Sequence, residues 1–321
     1  MKKKIILISG DPNSINSEII YKSWKKLSKK LRQNIFLISN FNLINDQLKK
    51  LNYKVKIELV EDIHNYKETD ALKIINININ YKDPFNVSFK SCSRFVIKSL
   101  NLAHNLALDK RIAGIINCPI DKRLLNKNGI GVTEYLASKC LVTKNKETML
   151  IKNDSLIVSP VTTHIDIKSV SRRIKKNLIL NKIKTIHKWF LKSHKKKPKI
   201  AILGLNPHNA EFRKNSEEKK EIIPAIKKLN RLKIKIEGPL VADTLFIKNY
   251  KNYDVIVGMY HDQVLAPFKT LYRYEAINLT LGLKYIRVSP DHGVAKDKIL
   301  KKKSNPTSLI RCIEYLQKIK T

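Results

Sequence analysis

Short apolar runs alternate with longer amphipathic stretches along nearly the whole chain. "KKIILIS", "RIAGIIN", "SLIVSPV", "KIAILGL", "YDVIVGM" and "YIRVS" read as buried strands. Between them, "SRFVIKSLNLAHNLALDK" repeats apolar residues at three and four, through Phe95, Ile97, Leu100 and Leu102, which predicts a helix. "IKSVSRRIKKNLILNKIKTIHKWFLKSH" predicts a long amphipathic helix broken once. "EIIPAIKKLNRL" carries Pro224 near its start, where proline is tolerated. "NPTSLIRCIEYLQKI" closes the chain as a further amphipathic helix. Periodicity is weaker from Asn40 to Tyr81, where short antiparallel strands are expected. There is no internal repeat and no low-complexity linker. Strands alternating with helices predict an α/β fold.

Each of the six strands ends in a loop that carries chemistry: "GDPNS", "CPIDK", "TTHID", "NPHNAE", "YHDQ" and "PDHG". In parallel α/β sheets, ligands bind beyond the carboxyl ends of the strands. Six polar tips after apolar bodies therefore predict one shared site. Three tips hold a histidine, His164, His208 and His261, too far apart in sequence for a local motif such as HExxH. Three neutral imidazoles suit a divalent transition metal with positions open to substrate. Asp262 and Gln263 follow His261, Asn206 and Glu211 flank His208, and Asp243 sits in "GPLVADTLF"; such groups could orient the ring nitrogens. Asp243 could equally cap a helix beginning at Thr244. His187 and His194 are expected on a solvated helix face.

Lys122, Lys269 and Arg287 lie near the same tips and suit an anionic substrate. Arg287 is the strongest of these because it interrupts an apolar run, where an unpaired charge would be costly. The four cysteines, Cys92, Cys118, Cys140 and Cys312, form no CxxC pair, so neither a zinc ribbon nor a redox dithiol is indicated. The formal net charge is +37 over 321 residues, with lysines spread along nearly the whole chain rather than gathered in one arm. Such a charge bears on solubility and non-specific polyanion binding more than on fold. No aromatic-interleaved basic motif accompanies it. There is no GxGxxG, no GxxxxGK[ST] and no apolar run long enough for a membrane span. "MKKKIILISGDP" has too short an apolar core for a signal peptide and reads as a first strand. A cytoplasmic protein with reduced thiols is expected.

Taken together, "GDPNSINSEI", "NCPIDKRLLNKNGI", "TEYLA", "VTTHIDI", "LGLNPHNAE", "EIIPAI", "GPLVADTLF", "MYHDQVLAPFK", "INLTLGL" and "IRVSPDHGVAKD" resemble the 4-hydroxythreonine-4-phosphate dehydrogenase (PdxA) family, in the family's order and over most of the chain. The resemblance implies an isopropylmalate-dehydrogenase-like α/β/α fold of two lobes with the active site in the cleft. The first lobe is expected from residues 1–125 plus 288–321, on the dinucleotide side, and a central lobe from 126–287, on the metal and dimer side. It implies a homodimer with active sites at the subunit interface, and neither a membrane nor a specific nucleic acid as partner. It implies one divalent metal per subunit (zinc, magnesium or cobalt) held by His164, His208 and His261. Substrate contacts fall on Thr133, Lys269, Asn278 and Arg287. Lys122 is the candidate for proton transfer, and Asp243 a second catalytic candidate. "SPDHGVAKD" resembles an adenosine-holding loop, which places Asp291, His292 and Gly293 at the NAD (or NADP).

The implied reaction oxidises the C3 hydroxyl of 4-phosphohydroxy-L-threonine with NAD. The 3-oxo acid then loses carbon dioxide to give 3-amino-2-oxopropyl phosphate, a step towards pyridoxal 5'-phosphate. The chain departs from the family at three places. Val132 stands where a substrate-binding histidine is expected, in a loop about three residues shorter. "NSINS" replaces the glycine-rich "AGIGP", and "PHNAE" replaces "PHAGE". A dehydrogenase of threonate or erythronate phosphate is the nearest alternative. More distant ones are a zinc hydrolase and a nucleic-acid-binding protein.

Overall fold

The computed structural model describes residues 3–66, 69–125, 131–142 and 147–319. In chain order it begins with β1 (Lys4–Ile8), α1 (Asn16–Lys26), α2 (Lys29–Arg32), β2 (Ile35–Ser39), α3 (Phe41–Lys50), β3 (Ile57–Leu59) and β4 (Leu72–Asn76). Next come α4 (Phe89–Ala107), β5 (Ile112–Asn117), α5 (Val132–Lys139), β6 (Thr148–Lys152), β7 (Ile157–Pro160), α6 (Ile167–Arg173) and α7 (Lys176–His194). The rest is β8 (Ile200–Leu203), α8 (Ile223–Arg231), β9 (Ile236–Leu240), α9 (Ala242–Lys248), β10 (Val255–Gly258), α10 (His261–Tyr272), β11 (Ile277–Leu281), β12 (Arg287–Pro290) and α11 (Thr307–Lys318). Two compact units result, one from residues 1–141 with 283–321 and one from 142–282.

In the first unit the strands run in the order β3-β4-β2-β1-β5-β12, and every described pairing is parallel. A parallel sheet is covered on both faces, so its strands are continuously apolar. Ile5, Ile6, Ile8, Ile35, Leu37 and Ile38 are fully buried for this reason, each worth about 1.5–3 kcal/mol. Ile6, Ile8, Phe36 and Ile38 pack with Phe95, Val96 and Leu100 of α4. On another side Gly114 of β5 lets Leu316 of α11 close in; a Cβ there would meet its Cδ2 at 2.9 Å. From β1 the chain passes to β2 on one side. After β4, α4 returns it to β5 on the other side. The sheet therefore changes direction between β1 and β5.

In the second unit β11-β6-β7 are antiparallel, whereas β7-β10-β8-β9 are parallel. Asn153 forms the β6–β7 turn, its Oδ1 accepting from the amides of Ser155 (2.9 Å) and Leu156 (2.8 Å). Phe268, Val264 and Leu265 of α10 pack on Ile151, Val158, Ala201 and Ile256.

The expected short antiparallel strands between Asn40 and Tyr81 are corrected. This stretch holds α3, capped by Asn40 Oδ1 accepting from the Leu43 amide at 2.9 Å, followed by two parallel strands. Leu43, Ile44 and Leu48 give α3 a buried stripe at helical spacing, diluted by the polar "NDQ" within it. The long amphipathic segment is broken once, at Ile174 and Lys175 between α6 and α7. His194 is exposed, as expected, and stacks on Phe190 at 4.0 Å. His187 is half-buried, and burial lowers its pKa.

Candidate active site

The second unit carries the histidine loops at the carboxyl ends of three parallel neighbours, β7, β10 and β8. These loops are tied together by side chains. Thr162 Oγ1, beside His164, donates to the Met259 carbonyl at 2.7 Å. Gln263, two residues after His261, accepts from the Met259 amide and donates to the Gly204 carbonyl, both at 2.7 Å. Gln263 thus fastens the His261 loop to the loop leading to His208.

The rings of His164 and His261 lie 5.4 Å apart, centre to centre. With metal–nitrogen bonds of about 2.0–2.1 Å, two imidazoles on one tetrahedral ion have ring centres roughly 5 Å apart, so this pair fits a shared cation. Asp262 Oδ1 lies 2.6 Å from His261 Nδ1, which orients the ring and leaves Nε2 to face a ligand. His208 lies outside the pair: among the described residues no three of His, Cys, Asp and Glu gather closely enough to hold a metal. Its side chain is largely exposed, with Nδ1 3.5 Å from Glu211 Oε1. A single chain therefore brings together two of the three histidines read from the sequence.

His208 opens an unusual turn. From His208 to Phe212 five consecutive residues are left-handed, with φ between 48° and 58°, and none is glycine. The left-handed conformation costs an L-residue about 1–2 kcal/mol, so the surroundings must hold it. Fully buried Glu218 accepts from the amides of Leu205 and Asn206, both at 2.8 Å, and from Asn206 Nδ2 at 3.0 Å. Asn209 donates to the Pro239 carbonyl at 3.0 Å. Gly204 makes room for it: a Cβ there would lie 2.0 Å from Asn209 Oδ1. Asn tolerates this region, but Ala210 stands where the family pattern has glycine.

Other predicted residues of this unit are more dispersed. Asp243 is exposed in the first turn of α9. That helix begins at Ala242 after Val241, with no side-chain cap, so the capping alternative is not what the structure shows. Lys269 is exposed on α10, and Asn278 lies half-buried on β11, where no described residue hydrogen-bonds its Oδ1.

The first unit brings Arg287 and Thr133 together. Arg287, on β12, is 4% exposed. Its Nε donates to Asn117 Oδ1 at 2.6 Å and its Nη1 to Thr133 Oγ1 at 3.3 Å. Desolvation by burial lowers its pKa to about 10, so the guanidinium stays charged at neutral pH. Thr133 is in the first turn of α5, which Tyr135 fixes by donating to Asn101 Oδ1 of α4 at 2.8 Å. Val132 begins that helix; the shortened loop before it falls at 126–130, outside the described residues. Lys122 is exposed at the start of a short 3-10 turn capped by Asp121. After β12, the Asp291 amide donates to Ser308 Oγ at 2.9 Å, and His292 Nδ1 lies 3.0 Å from the Gly293 carbonyl. A Cβ on Gly293 would meet nothing within 4 Å, so a ligand has room there.

The altered first loop is held by its own side chains, Asn16 standing where the family has a glycine. Asn13 bonds Val87 through both its amide atoms, each at 2.8 Å, and Asn16 Nδ2 donates to the carbonyls of Ser9 and Pro119, each at 2.9 Å. Sequence reasoning did not find Asn117, Thr162 or Glu218. Glu218 is hidden in the charged run "SEEKKE", where nothing marks which carboxylate is buried.

Comparison with known proteins accords with this arrangement. The family described as "Pyridoxal phosphate biosynthetic protein PdxA" matches residues 30–316. The 4-hydroxythreonine-4-phosphate dehydrogenase of Aquifex aeolicus (strain VF5) is 39% identical, over 99% of this chain and 98% of its own. A relative from Oceanobacillus iheyensis, named for D-threonate 4-phosphate, is 33% identical over 92% of each chain. The crystal structure of 4-hydroxythreonine-4-phosphate dehydrogenase from Klebsiella pneumoniae superposes with a TM-score of 0.86 at 26% identity, covering 99% of this chain and 98% of that one. The mixed α/β fold is shared with a β-decarboxylating dehydrogenase from Thermococcus kodakarensis, at a TM-score of 0.54 and 12% identity over 98% of this chain and 82% of that one. This chain belongs to the PdxA family.

Proposed function

We propose that the protein oxidises 4-phosphohydroxy-L-threonine at C3 with NAD, and that the resulting 3-oxo acid loses carbon dioxide to yield 3-amino-2-oxopropyl phosphate for pyridoxal 5'-phosphate synthesis. The observation that carries this reading is the end-to-end match to 4-hydroxythreonine-4-phosphate dehydrogenase sequences, with the Arg287–Thr133 pair as the anion-binding element. Arg287 is already desolvated and fixed by Asn117, so it would bind a phosphate without reorganising, supplying binding energy away from the reacting carbon. Thr133, Lys269 and Asn278 would complete the substrate contacts. Lys122 is the candidate for moving a proton between the substrate hydroxyl and solvent, and Asp243 could help orient the substrate. Asp291, His292 and Gly293 would meet the dinucleotide, which supplies the hydride acceptor.

His164 and His261 would hold a divalent cation (zinc, magnesium or cobalt), with His208 as the third ligand. Such a cation lowers the pKa of a bound hydroxyl and polarises a ketone. One chain pairs only two of the three imidazoles, which favours a site completed in a homodimer. Exposed apolar side chains beside two of the histidines support that assembly: Ile165 and Ile167 follow His164, and Phe212 closes the His208 turn. No helix among the described residues is long and apolar enough to cross a membrane. The positive charge gives non-specific affinity for polyanions and no sequence-specific nucleic-acid binding.

Val132 and the relative named for D-threonate 4-phosphate support a second reading, in which the substrate lacks the amino group. Measuring kcat/KM with 4-phosphohydroxy-L-threonine beside threonate and erythronate 4-phosphates decides between them. A preference for the amino compound supports the first reading, and a preference for either sugar acid replaces it with the second.

A further inference from the structure

In "SEEKKE" the structure turns three carboxylates inward. Glu218–Ile222 forms a π-helical turn, in which residues four and five apart share a side. Glu218 is fully buried, and Glu217 and Glu221 are half-buried, whereas Lys219 and Lys220 are exposed. Glu221 Oε2 accepts from the Lys176 amide at 2.7 Å, which anchors the run to the start of α7. Glu217 accepts on one oxygen from Ser171 Oγ of α6 and on the other from Asn206 Nδ2 at 2.9 Å. Glu218 takes the same Nδ2 at 3.0 Å on its Oε2, while its Oε1 takes the amides of Leu205 and Asn206. The Asn206 carbonyl accepts in turn from the Asn209 amide at 3.1 Å. His208 therefore sits between two anchored residues, Asn206 held by the carboxylates and Asn209 by the Pro239 carbonyl.

An ionised carboxylate only accepts hydrogen bonds, whereas an amide side chain donates at one end and accepts at the other. The Ser171 hydroxyl holds the Glu217 carboxyl below the ordinary range. With oxygens of Glu217 and Glu218 on the same side, Asn206 must point Nδ2 at both. A flip would set its oxygen against two acceptors. Bonds to ionised groups are the strong ones, so the approach to the left-handed turn is fixed before any ligand arrives. A ligand loop ordered in advance loses less freedom on binding.

We propose that Glu218 is a positioning residue for His208. Acting through Asn206, whose orientation Glu217 fixes, it sets the direction in which the turn presents the imidazole to a divalent cation. Its carboxylate touches neither the cation nor the substrate. The assignment rests on the metal-binding reading above.

The test is titration of the metal-stripped, full-length protein with cobalt. It is read as affinity and as the visible absorption of the bound ion, which reports its ligand set. The variants are Glu218→Gln, Glu218→Gln combined with Glu217→Gln, Asn206→Ala and His208→Ala. In Glu218→Gln the side-chain oxygen must stay with the two backbone amides, so the new nitrogen faces Asn206 Nδ2. A flip of Asn206 is blocked by Glu217. Cobalt affinity should fall roughly 10- to 100-fold, as removing a group that orients a metal ligand does. The absorption should move towards that of His208→Ala. Adding Glu217→Gln should restore both, since Asn206 can then flip and accept from both new amides. Asn206→Ala leaves Glu218 its two backbone amides and should weaken cobalt in the same direction, which keeps the test open if Glu218→Gln does not fold. A merely structural role would move melting temperatures but leave the affinity and spectrum of the folded variants at wild type. Wild-type affinity and spectrum in folded Glu218→Gln or Asn206→Ala, or no recovery in the double variant, would overturn the assignment. A wild-type protein that binds no cobalt, or His208→Ala that binds it unchanged, would overturn the metal reading and this one with it.

Discussion

Gln263 Nε2 donates to the Gly204 carbonyl at 2.7 Å, joining the loop of His261 to the loop that leads into the His208 turn. Its Oε1 takes the Met259 amide at 2.7 Å, so one side chain uses both ends in holding loop geometry. The residue after "YHD" is thus a strut between two histidine loops. Gln263→Ala should leave both backbone groups without their partner, costing about 1–3 kcal/mol of stability. It should also weaken metal binding roughly 10- to 100-fold, as removing groups that orient metal ligands does. Calorimetric titration of the metal-stripped protein with zinc checks this; unchanged affinity would reduce Gln263 to a loop brace with no bearing on the metal.

Arg287 holds a buried charge between Asn117 and Thr133, and its substitution should separate substrate affinity from chemistry. Arg287→Met should raise KM for the phosphorylated substrate about tenfold or more, corresponding to a charged hydrogen bond of about 1.5–3 kcal/mol. Arg287→Lys should not restore it, because one ammonium cannot donate to Asn117, Thr133 and a phosphate in the same fork. Steady-state kinetics on both variants gives the answer, and wild-type KM in Arg287→Met would move the phosphate elsewhere.

The left-handed turn predicts a stabilising substitution. Ala210 sits at φ 53°, a conformation glycine adopts without the Cβ clash. Ala210→Gly should stabilise the fold by about 1 kcal/mol, whereas Gly204→Ala should destabilise it, because Asn209 fills the space its Cβ would need. Thermal melts of the two variants should shift in opposite directions. A lower melting temperature for Ala210→Gly would mean that its methyl packing outweighs the backbone strain.

Asp121 sets an acid limit on stability. Asp121 is held at about 2 by the Arg123 side chain, below the ordinary carboxylate value of 3.8. Its pairing therefore contributes stability fully above about pH 4, lost as pH falls towards 2. Melting temperature against pH should fall less steeply over that window in Arg123→Ala.

The strands were legible because a two-sided parallel sheet buries every residue, and unbroken runs such as "IILI" and "IAGIIN" record that burial directly. The α3 helix was not, because its buried stripe of Leu43, Ile44 and Leu48 is interrupted by half-buried Asn45 and Asp46 and by a buried polar residue, Gln47. β6 and β11 are buried almost throughout but carry Lys152, Asn278 and Thr280, which interrupt their apolar runs. At the site, the histidines stood out because each follows an apolar strand. That two of them face each other while His208 stands apart depends on backbone geometry that residue types do not encode. Arg287 was readable because a charge inside an apolar run requires partners; Asn117, which supplies one, looks like any strand-ending asparagine. Glu218 and Gln263 do their work through burial and direction, which "EEKKE" and "YHDQ" leave open.

The central claim is tested most directly by following NADH and carbon dioxide from 4-phosphohydroxy-L-threonine and NAD, with protein first stripped of metal and then reloaded with zinc, magnesium or cobalt. The account predicts no turnover after stripping, recovery with a divalent cation, equal yields of NADH and carbon dioxide, and loss of that recovery in His208→Ala with its fold retained. Turnover that survives stripping, or a folded, metal-loaded protein that forms no NADH from this substrate while reducing NAD with threonate or erythronate phosphate, would contradict it.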